Sequence, residues 1–160
     1  MRSSQWASAL LATIAMGLVI SACGGGGSSP PTGGATCTGS GHSVELVAEL
    51  GDHKVVDRCV PFSGTEISGE TALRKSGIEF ASQHFSYGDA LCQIDHEPRS
   101  YTSCFPSGAP YWALFVWSAG KWKSSSTGIS DVKLTPGEAE GLRYDPSSGT
   151  AAPPPAPPKS

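Results

Sequence analysis

Tyr111-Trp112-Ala113-Leu114-Phe115-Val116-Trp117 is the stretch on which the fold turns. Side chains alternate across a strand, so Tyr111, Phe115 and Trp117 fall on one face and Trp112, Leu114 and Val116 on the other. Both faces are apolar, which suits a strand inside a sheet that is covered on both sides. Downstream, Gly120 turns the chain into Lys121-Trp122-Lys123, and Pro136-Gly137 leads into a last strand, Glu138–Tyr144. Upstream, the pattern predicts one short helix over Gly69–Ser76. Ser68 is placed to cap it, Glu70 lies near the positive end of its dipole, Arg74 and Lys75 occupy the last turn, and Gly77 suits the position just beyond. A helix of two turns cannot stand alone and must lie on a sheet. It can cover only one face of that sheet. The second apolar face calls for either a second packed sheet or an aromatic surface kept for a ligand.

Before the helix, Val44, Leu46, Ala48 and Leu50 alternate with Glu45, Val47 and Glu49, the period of a half-buried strand. Gly51-Asp52-His53 supplies a turn and Lys54–Val60 returns as a second strand, which puts Cys59 opposite Glu45. After the helix, Ile78–Ala81 resumes extended structure, and Ala90–Ile94 reads as a strand followed by the turn Asp95-His96-Glu97-Pro98. A hairpin centred near Pro98 would place Cys92 and Cys104 on directly opposed positions, at about the Cβ separation a disulfide needs. Asp95, His96 and Glu97 at such a tip are read as solvated residues rather than metal ligands.

Five cysteines occur, and Cys23 differs in kind from Cys37, Cys59, Cys92 and Cys104. Four cysteines in a small exported domain, without the paired spacing of a zinc site, point to two disulfides. Three connectivities are open; the hairpins favour Cys92–Cys104, and Cys37–Cys59 follows in part by elimination. Cys23 ends Ile20-Ser21-Ala22-Cys23, a lipobox pattern, preceded by the apolar run Ala7–Ile20 with Arg2 as the only charge before it. That run is too short to span a bilayer, which needs about 20 apolar residues, and fits the core of an export signal. The expected organisation is a lipoprotein signal over residues 1–22, a disordered Gly/Ser/Pro-rich linker over 23–36, one domain over 37–145, and a disordered, solvated Pro-rich tail over 146–160. Cys23 would carry the lipid and tether the mature chain to the outer side of a bacterial cell membrane. Loss of Arg2 with the leader leaves ten basic against fourteen acidic side chains, a net charge of −4. That balance disfavours nucleic acid as a partner.

The ordered segments Thr71-Ala72-Leu73 through Gly77, Leu91-Cys92-Gln93-Ile94-Asp95, Tyr111-Trp112, Gly120-Lys121-Trp122, Gly128 and Pro136 through Tyr144 resemble the transcobalamin and intrinsic-factor C-terminal domain family. The chain is most similar to bacterial secreted versions with four cysteines. The resemblance implies an α+β, β-grasp-like fold of two small antiparallel sheets and one short helix. It also implies that Tyr111, Trp112, Trp117 and Trp122, with the loop Ser124–Ile129, face a ligand, with a corrinoid as one specific candidate. The vitamin carriers grip the corrinoid between this domain and a helical barrel, which this chain lacks. His96 stands where the family often has Gly.

The function expected is therefore a lipid-anchored extracellular binding module that presents an aromatic face to a small ligand or a partner protein. A structural or adhesive surface module that binds protein or polysaccharide is the alternative. No resident cofactor or metal is expected, and a monomer is. Catalysis is not expected: no Gly-x-Ser-x-Gly elbow occurs, and His42, His53, His84 and His96 all fall in turns or at segment ends.

Overall fold

The computed structural model describes residues 37, 41–107, 110–145 and 150–158. The expected signal, Cys23 and the whole of the expected linker over 23–36 lie outside the described residues.

The N-terminal hairpin forms as the alternation predicts. Strands β1 (Ser43–Glu49) and β2 (Val55–Pro61) pair antiparallel, and Cys59 stands opposite Glu45. Strand β3 (Ile67–Ser68) is short and runs straight into helix α1 (Gly69–Lys75). Ser68 caps that helix, its Oγ accepting from the Thr71 N–H at 3.2 Å, and Gly77 takes the left-handed conformation (φ +75°) after it. Ala72 and Leu73 are sealed beneath the helix. Strands β4 (Phe80–Phe85) and β5 (Gly88–Ile94) form a second hairpin. Strands β6 (Tyr111–Ser118) and β7 (Lys121–Ser124) form a third, and β8 (Lys133–Leu134) and β9 (Ala139–Asp145) complete the chain of elements.

These elements assemble into a five-stranded sheet of order β2-β1-β9-β6-β7 and two two-stranded sheets, β3-β8 and β4-β5. The fold is a small β-rich α+β structure with one short helix and two disulfides, Cys37–Cys59 and Cys92–Cys104. The expectation of two small antiparallel sheets is corrected. The large sheet is mixed, because β9 enters between β1 and β6 and runs parallel to β1, with Glu45 beside Ala139 and Glu49 beside Arg143. Insertion of β9 makes β1 a central strand, which is why β1 is not half-buried as its alternation suggests: Glu45 and Glu49 are buried along with Val44, Leu46 and Ala48. A second correction concerns Cys92. Its strand pairs with β4, not with the segment around Cys104, so the Cys92–Cys104 bond ties a strand to a loop.

The helix side of the large sheet carries the core. Leu46, Ala48, Trp112 and Leu142 meet Leu73, Leu91, Ile94 and Ile129 there, and Val44 meets Val60, Ile67, Ala72 and Leu134. The opposite face carries Val47, Ala113, Phe115, Ala139 and Gly141. Residues 150–158 pass along this face. The Arg143 guanidinium donates to the Pro153 carbonyl at 3.2 Å, and Pro154 is buried. The sequence predicts a solvated tail; over residues 150–158 it lies on the sheet instead, because the second apolar face has no other cover among the described residues.

Candidate functional site

A cleft of about 280 Å³ opens where the start of β6 meets the loop after β7. Tyr87, from the tight β4–β5 turn, and Phe105, from the disulfide-tied loop, form one wall with Tyr111; Ser124, Ser125, Ser126 and Thr127 form the rim. Gly128 closes the floor, and Thr150 and Ala151 border the far side.

Local chemistry explains each part. The loop is pinned at both ends: the Ser125 N–H donates to the Leu114 carbonyl at 2.8 Å, and the Gly128 N–H to the Tyr87 carbonyl at 2.7 Å. At Gly128 any Cβ would strike the backbone of Gly88 and Asp89, so only glycine lets the loop approach the β4–β5 turn this closely. On the other wall, Cys104 is bonded to Cys92 and so fixes the neighbouring Phe105 over the sheet edge. The rings make a continuous row. Phe85 stacks on Tyr87 with centroids 5.3 Å apart, Phe105 follows at 6.1 Å from Tyr87, and Tyr111 at 5.4 Å from Phe105. Such offset and edge contacts are the favoured aromatic geometries. Phe105 is 52% exposed and Tyr87 38%, the most open large apolar side chains of this row.

Among the described residues, none that lines the cleft is charged. Ring faces below and hydroxyls around the rim suit a neutral, ring-bearing molecule, which can stack on the aromatics and hydrogen-bond at its edge. The volume falls just under the roughly 300–1,000 Å³ of typical small-molecule sites, enough for one ring or the edge of a larger ligand. A second cleft of about 320 Å³, lined by Tyr101, Pro106 and Tyr144 among others, borders the other side of Tyr111.

The four aromatic residues singled out in the sequence do not form one site. Tyr111 lines the cleft together with the Ser124–Gly128 part of the predicted loop. Trp112 also touches the cleft but is chiefly a core residue: it is 3% exposed, packs on Tyr144 at 5.3 Å, and donates its indole N–H to the Glu97 carbonyl at 3.3 Å. Trp117 and Trp122 pair edge to face at 5.2 Å toward the other end of the β6–β7 hairpin, away from the cleft. Sequence reasoning missed Tyr87 and Phe105. The available signal was their setting, single aromatics inside Ser86-Tyr87-Gly88 and Cys104-Phe105-Pro106, where turn chemistry leaves a ring no core to enter.

The acids whose protonation is perturbed all lie elsewhere. Glu140, on the helix side of β9, is fully buried, and burial pushes its carboxyl up to about 8. On the opposite face, burial and the neighbouring Asp57 raise Glu45 to about 7, and burial likewise raises Asp57. His53, His84 and His96 sit exposed beside Glu49, Asp89 and Glu79 respectively. Among the described residues, no three His, Cys, Asp or Glu side chains converge as metal ligands, and no helix is long and apolar enough to cross a membrane.

A structure from Ruminococcus gnavus ATCC 29149, described as a "putative metal binding protein", has a similar fold. The TM-score is 0.52 at 13% identity, with 66% of this chain matched to 98% of that one. At that identity the likeness bears on the fold alone. No family model matches the chain, and no curated protein matches it significantly.

Proposed function

We propose that this chain is an exported, lipid-tethered binding module, not an enzyme, whose Tyr87–Phe105–Tyr111 cleft takes the edge of a neutral ring-bearing molecule. The observation that carries the proposal is the open ring row beside an uncharged hydroxyl rim. A domain this small ordinarily hides its large aromatics, so a contiguous exposed set is a binding feature. The tether rests on the lipobox at Cys23.

The strand order β2-β1-β9-β6-β7 around a parallel centre, with α1 on one face, supports a β-grasp assignment within the α+β class. That arrangement favours a corrinoid as the specific ligand, since the vitamin carriers use the same kind of domain for one face of theirs. Only an edge of a corrinoid fits in the cleft, so a second protein would complete the grip. The R. gnavus protein's description as metal binding lends no support here, because the cleft offers no charged ligand set among the described residues.

Calorimetric titration with cyanocobalamin, and separately with soluble cell-wall glycan fragments, tests the proposal. Binding of either is expected to weaken at least tenfold in Phe105→Ala and in Tyr111→Ala. Absence of heat with both probes would leave the adhesive or structural alternative. Heat that both substitutions leave unchanged would move the site off this cleft.

A further inference from the structure

The second face of the large sheet is built as a groove around a proline. Pro154 and the ring of Trp122 converge on Gly141 in the middle of β9: a Cβ at that glycine would stand 2.8 Å from Pro154 Cγ and 2.8 Å from Trp122 Cζ3. Glycine weakens a strand interior and is kept where another backbone or ring must come close. Here it lets an indole wall and a proline ring share the floor. Arg143, one pleat further along the same face, donates to the Pro153 carbonyl at 3.2 Å and holds Glu49 at 3.1 Å with the same nitrogen. Past Pro154, Pro157 and Pro158 border a larger cleft of about 590 Å³ with Trp117 and Glu45. Residues 150–158 contain no helix or strand, and their prolines hold φ near about −65°. An indole flanking a proline ring, with a donor to the carbonyl beside it, is the recognition chemistry of extended proline-rich segments.

One polar atom shows that the tail does not satisfy everything this groove offers. The Trp122 indole N–H is buried and meets no acceptor among the described residues. A buried donor left without an acceptor carries its full desolvation cost. A segment that seats its prolines in the same places and brings one backbone carbonyl to Trp122 Nε1 would recover that interaction.

We infer that the groove formed by Trp122, Gly141 and Arg143 is a binding site for an uncharged, proline-rich segment of another polypeptide, and that residues 150–158 fill it in cis until such a segment displaces them. The site is distinct from the Tyr87–Phe105–Tyr111 cleft and does not depend on what that cleft binds. Exchange is feasible because a tethered segment competes at an effective concentration in the millimolar range for a short linker, so a better-fitting partner at high local concentration can replace it.

The test uses the full mature chain and a fluorescent synthetic peptide of residues 150–158. In the wild-type chain, peptide binding is expected to be at least tenfold weaker than in the triple variant Pro153→Ser, Pro154→Ser, Pro155→Ser, whose own tail no longer fills the groove. Adding Trp122→Ala to that variant should abolish binding. Equal affinity of the wild-type and serine chains, with unchanged circular dichroism, overturns the cis occupancy; binding that survives Trp122→Ala overturns the site. A readout without variants guards against misfolding. A spin label on the peptide should broaden the Trp122 indole N–H resonance of the wild-type chain at millimolar concentration, and a spin-labelled serine-only control should not. A resonance that stays sharp with the labelled peptide counts against the inference.

Discussion

Glu140 occupies a position that a leucine would ordinarily take. It lies on β9 beside Leu46 and Val116, its side chain packed against Gly69 at the start of α1, and neither carboxylate oxygen finds a donor among the described residues. The N–H groups nearest in sequence to that site are already committed: Gly69 donates to Val132, Glu70 to Ile129, and Thr71 to Ser68. Burial therefore holds the proton on, with the folded value raised from 4.5 to about 8. The sign follows from proton counting. Between those two values the folded chain keeps a proton that the unfolded chain has released, so stability is greatest below the lower value and falls as pH rises toward the upper one. The limiting slope for one proton is about 1.4 kcal/mol per pH unit. Urea midpoints of the wild-type chain are expected to decline steadily from pH 5 to pH 8. In Glu140→Gln that decline should be shallower, most clearly above the value of about 7 to which Glu45 is raised; the remainder below it belongs to Glu45 and Asp57, whose shifts run the same way. A parallel decline in both proteins would show that Glu140 finds a partner for its charge.

At the scale of elements, α1 shows how little sequence is needed to start and stop a helix. The Ser68 cap, the acidic first turn at Glu70, the basic last turn at Arg74 and the left-handed Gly77 are all legible in the sequence, because each acts within one turn of chain. The fold adds an ion pair between Glu70 and Arg74 at 2.7 Å. Ser68→Ala removes the acceptor for the Thr71 N–H and should cost about 1 kcal/mol. Chemical denaturation measures it, and a midpoint unchanged from wild type would show the cap to be redundant. The helix seats against β1 and closes the core over Leu73, so part of the loss should appear as faster amide exchange in α1. The Cys92 hairpin is the counterexample. Ala90–Ile94 reads as a strand and is one, but the sequence pattern points to the downstream segment as its partner, whereas the fold pairs it with β4. Both neighbours are near in sequence, and only the burial of Leu91 and Ile94 against the sheet selects β4.

For the whole molecule, the two disulfides have separate tasks. Cys37–Cys59 fastens the chain before β1 to the edge strand β2, whereas Cys92–Cys104 anchors the loop that carries Phe105. Each closes a short loop and should contribute about 3 kcal/mol, chiefly by restricting the unfolded chain. The Cys92→Ser/Cys104→Ser variant is expected to lose that stability and also the preformed wall of the cleft, so any ligand of the cleft should bind more weakly even where the variant is folded. Cys37→Ser/Cys59→Ser should lose comparable stability and leave cleft affinity intact. Thermal melts paired with titration separate the two, and equal binding losses in both variants would dissociate the cleft from its disulfide.

Local chemistry in the sequence sufficed for the first and third hairpins, the capped helix and the two apolar faces of β6, which depend on alternation, turn residues and contacts between near neighbours in the chain. The disulfide pairings agree as well, but Cys92–Cys104 through a hairpin that the fold does not make and Cys37–Cys59 in part by elimination. The tertiary structure alone decided that β9 slips in parallel beside β1, that Trp112 is sealed while Phe105 stays open, and that the proline-rich tail covers the second face. Those outcomes depend on competition among distant segments for the same apolar surface, and no local pattern records which segment wins it.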